Sequence, residues 1–472
     1  MKDRFYITTT LPYVNAEPHV GFALEIVRAD VLARYHKLLG EEVFFNTGTD
    51  EHGQKIYQKA VEEGKEPQKY VDEYAAKFDR LKKALNLSYN NFIRTTDEHH
   101  VRAAQEFWKI VDANGYIDKK NYKIKYCVGC ELEKQESELD GGKCPLHPTK
   151  ELEIIEEENY FFKFSAFEDR LLELYEKRPD FVVPANRLKE VKNFVRGGLQ
   201  DFSISRLKEK MPWGVPVPGD ETQVMYVWFD ALVNYISAIG WPENKEEFEK
   251  WWPGVQIAGK DNLRQQAAMW QAMLMAAGLD PSKQILIDGF ITAGNGVKMS
   301  KSLGNVVSPF DYVNRYGTEA LRYFLLAKIS AFEDSDFTKE RFEEAYTSDL
   351  ANGLGNLVAR VVAMAEKMDA HIQFLGLELD KDVAKKLERF EFDKAIELIW
   401  DKIREVDKLI NEKEVWKLEG KQKEEILVTL IGRIRQIAVD LQSFLPETAA
   451  EISGRFGGEK IVKGEALFPR LS

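Results

Sequence analysis

Arg4-Phe5-Tyr6-Ile7-Thr8-Thr9-Thr10 runs through Leu11-Pro12-Tyr13-Val14-Asn15-Ala16-Glu17-Pro18-His19-Val20-Gly21-Phe22 into a helical pattern that stops at Gly40, and Val43-Phe44-Phe45 follows. The first stretch is rich in β-branched and aromatic residues, as strands are. Phe22, Ile26, Ala29, Ala33 and Lys37 lie on successive turns, with Ala23, Val27, Val31, Tyr35 and Leu39 beside them. Residues recurring at that period make a helix. Pro18 suits its first turn and Gly40 its end. Strand, helix and strand form a βαβ unit, which implies a parallel sheet and an α/β fold.

Outward from this unit the pattern changes twice. Residues 115–215 hold all three cysteines, a Gly141-Gly142 turn and short alternating segments, the pattern of an inserted subdomain. Strand signals return at Val224–Phe229, Val255–Ala258 and Gln284–Ile287, as the rest of an interrupted sheet. Beyond residue 345 the pattern is helical almost throughout. Phe392, Ala395, Ile396, Ile399, Ile403, Val406 and Ile410 step by three or four residues, which predicts one face of a helix in a bundle. The expected divisions are 1–114, 115–215, 216–285, 286–344 and 345–472.

The 472 residues suffice for about three domains. With 44% apolar and 31% charged residues, the composition is globular and excludes a wholly disordered chain. The net charge of −12 disfavours non-specific coating of nucleic acid. Only −2 of it falls in residues 351–472, where a polyanion meets less repulsion. Three cysteines cannot all pair with one another, which argues against a disulfide scaffold. The start Met1-Lys2-Asp3-Arg4 lacks a signal peptide's long apolar core, and no apolar run reaches the length of a membrane span. These features predict a cytoplasmic protein with no membrane partner.

Three clusters carry chemistry. His19-Val20-Gly21-Phe22 opens a helix at the carboxyl edge of the sheet, where ligands of open α/β sheets bind. A helix N-terminus offers amides and a positive dipole end to phosphate, and His19 adds a donor. Taken alone, His-x-Gly reads first as a histidine capping a helix. Gly294-Asn295-Gly296-Val297-Lys298-Met299-Ser300-Lys301-Ser302 places two lysines in a glycine-rich loop. Such a loop can bring two ammonium groups to a leaving pyrophosphate as charge develops. Cys127-x2-Cys130-x13-Cys144-x2-His147 offers three thiols and an imidazole at the spacing of a closed, structural zinc site, and it uses every cysteine.

His19-Val20-Gly21 resembles the HIGH motif, and Lys298-Met299-Ser300-Lys301-Ser302 is an unaltered KMSKS motif, as in class I aminoacyl-tRNA synthetases. Leu11-Pro12-Tyr13, Gly48-Thr49-Asp50-Glu51-His52-Gly53, Tyr226-Val227-Trp228-Phe229-Asp230-Ala231 and Gly259-Lys260-Asp261 narrow the resemblance to the methionyl-tRNA synthetases, from residue 5 to about 450. It implies a Rossmann-type parallel sheet, interrupted by a zinc-binding connective insertion and followed by an all-α anticodon-binding bundle. It also implies activation of methionine with ATP and Mg2+, then transfer to the 3′-terminal adenosine of tRNA(Met).

By the same resemblance Asp50 and the Leu11 backbone hold the methionine ammonium. Tyr13, Trp228, Ala231, Leu232, Tyr235 and Trp270 form the side-chain pocket, although the residues alone would pass for ordinary core. Arg206 stands near the reacting carboxylate, Gly259 and Asp261 beside the ribose, and His19, Gly21, Phe22, Lys298 and Lys301 on the nucleotide. Asn356, Arg360 and Trp416 match the readers of the CAU anticodon, although alone they read as core plus a surface ion pair.

The chain departs from the pattern at three positions. Phe22 replaces the second histidine of the motif, Gln266 replaces a histidine near the methionine sulfur, and Val415 replaces a proline before Trp416. Two alternatives stay open: another class I aminoacyl-tRNA synthetase, or an impaired synthetase-like tRNA-binding protein. The chain ends at Ser472 without the appended domain through which some family members dimerise, so a monomer is expected.

Overall fold

The structure, a computed structural model, describes residues 3–130, 132–134, 138–297, 299, 305–366, 368, 377–458 and 460–471. Its centre is a six-stranded sheet in which every neighbouring pair is parallel. In chain order the strands are β1 (Arg4–Thr9), β2 (Glu42–Thr49), β3 (Asn91–Arg94), β4 (Val182–Val183), β5 (Val255–Gly259) and β6 (Gln284–Asp288). Across the sheet they run β3-β2-β1-β5-β6-β4. The strand order reverses between β1 and β5, so their carboxyl ends flank the crevice where open α/β sheets bind ligands. Alternation along β1 divides it between two cores: Phe5 and Ile7 face one, Tyr6 the other.

The helix α1 (Val20–Leu38) joins β1 to β2 and is buried on almost every side from Val20 to Ala33. A helix covered all round lies between two layers. Here those layers are the sheet and the helical C-terminal part. Its charges are correspondingly locked. Arg28 pairs with Asp288 at the end of β6 at 2.9 Å and donates to the carbonyls of Ile329, Ser330 and Ala331. Asp30 pairs with Arg322 at 2.8 Å, and Arg322 also donates to the carbonyls of Leu85, Ser443 and Phe444. Buried charges survive only with such pairing.

Between β3 and β5 the chain builds an antiparallel sheet. Ile117–Cys127 pairs with Glu153–Phe162, flanked by Leu132–Lys134 and Phe202–Ser203. The cysteine turn sits at one end of this sheet. From Asn356 onward come the helices Asn356–Ala365, Lys381–Glu388, Phe392–Glu412, Gly420–Leu441 and Pro446–Phe456. The apolar face of Phe392, Ala395, Ile396, Ile399, Ile403, Val406 and Ile410 is buried throughout. Among the described residues no helix is long and apolar enough to cross a membrane.

The local reading needs three corrections. Pro18 precedes the helix rather than entering its first turn, because His19 is the N-cap. The strand expected over 224–229 ends at Met225 and pairs antiparallel with Ser205–Leu207 and Pro216–Val217, outside the main sheet. Val227–Ala231 is instead a helical turn, although its β-branched and aromatic residues favour strands. Burial of Val227, Phe229 and Asp230 overrides that weak local preference. Finally, the outermost strand of the parallel sheet, β4, comes from the stretch expected to be inserted.

Candidate functional site

A cleft of about 480 Å³ opens at the carboxyl ends of β1 and β5. The loop after β1 contributes Leu11 and Tyr13, and the start of α1 contributes His19, Gly21 and Phe22. Asp50 follows β2, Gly259 and Asp261 follow β5, and the helical turns after Met225 supply Trp228, Ala231, Leu232 and Tyr235. Gln266 also lines the cleft. Tyr13 and Asp50 form a parallel bridge, so two loops meet across the floor. Asp50 itself is buried.

His19 caps α1: its Nδ1 accepts the Gly21 amide at 3.0 Å. A neutral imidazole that accepts at Nδ1 carries its proton on Nε2, which then donates. Gly21 is required by the same geometry, because a Cβ there would lie 2.8 Å from His19 Cε1. The Val20 amide is already given to the Val307 carbonyl. Two of the first helical amides are therefore engaged within the protein, and the helix end is less open to phosphate than the sequence implies. Phe22 turns its ring edge-on to Phe78, with centroids 5.6 Å apart. It offers the cleft an apolar surface where a second imidazole would offer a donor.

The Gln266 amide donates to the Tyr235 hydroxyl at 2.7 Å, and its carbonyl oxygen accepts from Gln256 at 3.3 Å. Trp270 does not line the cleft. It is fully buried one layer behind, 5.9 Å from the Tyr235 ring. Arg206 also stands apart. It lines two neighbouring hollows of about 400 and 380 Å³, with its guanidinium over the rings of Tyr126 and Tyr226 and its Nη1 on Ser203 Oγ at 2.7 Å. Lys298 and Lys301 lie outside the described residues. Met299 between them lines the cleft.

Sequence reasoning missed Glu25 and Asp288, which also line the cleft. One oxygen of Glu25 accepts both the amide and the hydroxyl of Thr10, at 2.7 and 2.6 Å. Burial pushes the Glu25 carboxyl up to about 8, and the charges of Asp288 and Asp261 push the same way. Burial likewise raises Asp288, to about 6, against the pull of Arg28. Glu25 lies one helical turn beyond Gly21, so the register of α1 aims both at the cleft. An acidic residue within the apolar first turns of the helix, Val20 to Val27, was the one available signal.

Away from the cleft, Cys127, Cys130, Cys144 and His147 bring their ligand atoms within 4.8 Å of one another. Cys130 Sγ lies 3.4 Å from Cys144 Sγ and 3.3 Å from His147 Nδ1. Tetrahedral sulfur ligands at about 2.3 Å from zinc stand roughly 3.8 Å apart, so the set fits that ion. Gly129 makes room for it, since a Cβ would fall 2.3 Å from His147 Cγ. Lys55 donates to the Gly129 carbonyl at 2.7 Å and ties this turn to the helix after Gly53.

In the helical part, Asn356 and Arg360 share one face of their helix, and Trp416, half exposed, follows on a single helical turn. Arg360 is paired with Asp407 and donates to Asn411 Oδ1 at 2.8 Å. Asp407 and Asn411 also line a hollow of about 400 Å³, which the sequence did not disclose.

A family profile described as tRNA synthetases class I (M) matches residues 5–151 and 133–362. The methionine–tRNA ligase of Thermotoga maritima is 39% identical over 99% of this chain and 80% of its own length. That of Synechocystis is 41% identical over 96% of this chain and 89% of its own. Among solved structures, Mycobacterium tuberculosis methionyl-tRNA synthetase in complex with methionyl-adenylate superposes with a TM-score of 0.93 at 34% identity, over the whole of both chains. The free-state form of that enzyme gives 0.85 at 31% identity.

Proposed function

The chain belongs to the methionyl-tRNA synthetase family of class I, and from that membership we propose how its own residues perform the reaction. Methionine is activated with ATP to methionyl-adenylate, pyrophosphate leaves, and the methionyl group passes to the 3′-terminal adenosine of tRNA(Met). The observation that carries the assignment of roles is the gathering of Leu11, Tyr13, His19, Asp50, Trp228, Tyr235 and Asp261 around one cleft.

Asp50 and the Leu11 backbone hold the methionine ammonium, because a buried carboxylate is the natural partner of that charge. Tyr13, Trp228, Ala231, Leu232 and Tyr235, with Trp270 behind, enclose the thioether, a polarisable group suited to aromatic walls. Gln266 replaces the family histidine by holding the Tyr235 hydroxyl through its amide. His19 donates from Nε2 to the triphosphate, with the nucleotide also against Gly21 and Phe22. Gly259 and Asp261 meet the ribose, and Arg206 approaches the reacting carboxylate from the neighbouring hollow. Lys298 and Lys301 meet the leaving pyrophosphate, where charge develops only in the transition state.

Among the described residues, the Cys3His cluster is the only set of three or more ligating side chains close enough to share an ion. Mg2+ is therefore read as entering with ATP. Zinc in the cluster ties the turn together and takes no part in the reaction. Asn356, Arg360 and Trp416 offer an amide, a guanidinium and an indole, groups that suit splayed single-stranded bases. We read residues 345–472 as the anticodon-binding bundle and 115–215, apart from strand β4 of the parallel sheet, as the connective insertion.

Pyrophosphate exchange with each of the twenty amino acids tests the reading. Exchange with methionine is expected; exchange with another amino acid, or none, overturns it. Elemental analysis of protein purified without chelator is expected to find one zinc per chain.

A further inference from the structure

Three segments that wall the cleft hang from one buried polar chain. His52 follows Asp50 in the turn after β2, Asp230 lies between Trp228 and Ala231, and Ser237 closes the helical turn that carries Tyr235. One carboxylate oxygen of Asp230 meets His52 Nδ1 at 2.6 Å, and the other meets His100 Nε2 at 2.8 Å. His100 Nδ1 lies 2.9 Å from Ser237 Oγ. Burial alone would raise the Asp230 carboxyl, but the two imidazoles outweigh it and hold the group at about 2.

The hydrogen positions follow from the inventory of groups. An ionised carboxylate only accepts, so His52 carries a proton on Nδ1 and His100 one on Nε2. His100 Nδ1 then meets the Ser237 hydroxyl, whose oxygen also lies 3.5 Å from the Asn234 carbonyl. At both links to Asp230 the imidazole is the donor and the carboxylate the acceptor. Ser237, His100 and Asp230 stand in the order of a hydrolytic triad, yet each is at most 2% exposed. No substrate reaches that hydroxyl, and the chain serves geometry rather than nucleophilic chemistry.

We propose that Asp230, bridging His52 and His100, is a positioning residue that fixes the Asp50 loop against the Trp228–Tyr235 wall and thereby sets the affinity for methionine. The inference rests on reading this cleft as the methionine site. It follows from the shared anchor: movement of either wall requires breaking a hydrogen bond to a buried ionised carboxylate, a group that is costly to leave unpaired.

His52→Leu removes the donor, whereas His52→Asn places an amide N–H near the position of Nδ1. Asp230→Asn removes one acceptor. KM values for methionine and ATP in pyrophosphate exchange, with thermal midpoints, are the measurements. His52→Leu and Asp230→Asn are expected to raise the methionine KM tenfold or more with the ATP KM changed less than twofold, and His52→Asn to return methionine to within threefold of the parent. A lowered midpoint with both KM values unmoved, an equal rise in both, or no rescue by asparagine would overturn the proposal. Should Asp230→Asn fail to fold, the two His52 variants decide alone. Absence of methionine exchange in the parent protein would instead sink the assignment of the cleft.

Discussion

The cleft we read as the methionine site and the helical face we read as the anticodon reader are built in opposite ways. Around the cleft the polar groups are buried and already fixed: Asp230 between two imidazoles, Glu25 on Thr10, Gln266 on Tyr235. On the helical part Asn356 and Trp416 are exposed, and Arg360 is spent on its own Asp407. A small ligand must be discriminated by a few contacts, which rewards groups set in advance and shielded from water. A large polyanion spreads its recognition over many contacts, and exposed side chains can exchange a protein partner for a base. Removing a group should therefore cost much in the first region and less in the second.

The sharpest test of that contrast is Asp50→Ala. Losing one member of a desolvated charge pair costs about 2–5 kcal/mol. Methionine-dependent exchange should fall roughly a hundredfold or more, mainly through KM, and a change under tenfold would break the contrast. Lys301→Ala should slow adenylate formation about a hundredfold with little effect on methionine binding, because the lysine acts on charge present only in the transition state. Equal losses in both, measured by single turnover and equilibrium titration, would remove it from that role. Arg360→Ala should slow charging of tRNA(Met) by about tenfold, and exchange, which needs no tRNA, should fall far less. A loss as large as that at Asp50 would show that the anticodon face is as preset as the cleft.

A separate test concerns stability. The Glu25 carboxyl is raised from 4.5 to about 8 in the folded protein. A folded state that holds its proton more tightly is favoured at low pH, and that advantage is lost as pH rises from 4.5 through 8. Glu25→Gln cannot titrate, so the midpoint of the parent protein should fall relative to the variant across that window. Parallel curves in a pH series of thermal melts would show that the carboxyl does not carry this burden.

Much of this was legible in one dimension wherever a local rule was strong. The strand from Arg4, the helix ending before Gly40 and the buried stripe from Phe392 to Ile410 follow from composition, a stop signal and period. The Cys127, Cys130, Cys144 and His147 spacing anticipated a cluster that the fold assembles. The failures have equally physical causes. Val227–Ala231 looked like strand because its residues favour one, but burial selected a helical turn. Asp288, Asp407 and Asn411 escaped notice because a lone acidic or amide residue has no sequence signature, and Glu25 because its only signal was a charge among apolar neighbours; their partners come from distant segments. His19 needed both readings, as the cap of its helix and as a group facing the cleft.

By itself the sequence determined the parallel-sheet class, the clustered cysteines and histidine and the family, since periodicity, residue spacing and contiguous motifs are properties of short stretches. Only the tertiary structure decided that Arg28 locks the helix of His19 to Asp288 and to the carbonyls of Ile329, Ser330 and Ala331, and that Asp30 ties it through Arg322 to Ser443 and Phe444. It also decided that Arg206 and Trp270 stand back from the cleft, and that His52, Asp230 and His100 share one buried anchor. Those pairings join residues far apart along the chain, and what makes them necessary is the cost of leaving a charge or donor unpaired in a dry interior. That cost exists only once the segments have packed together.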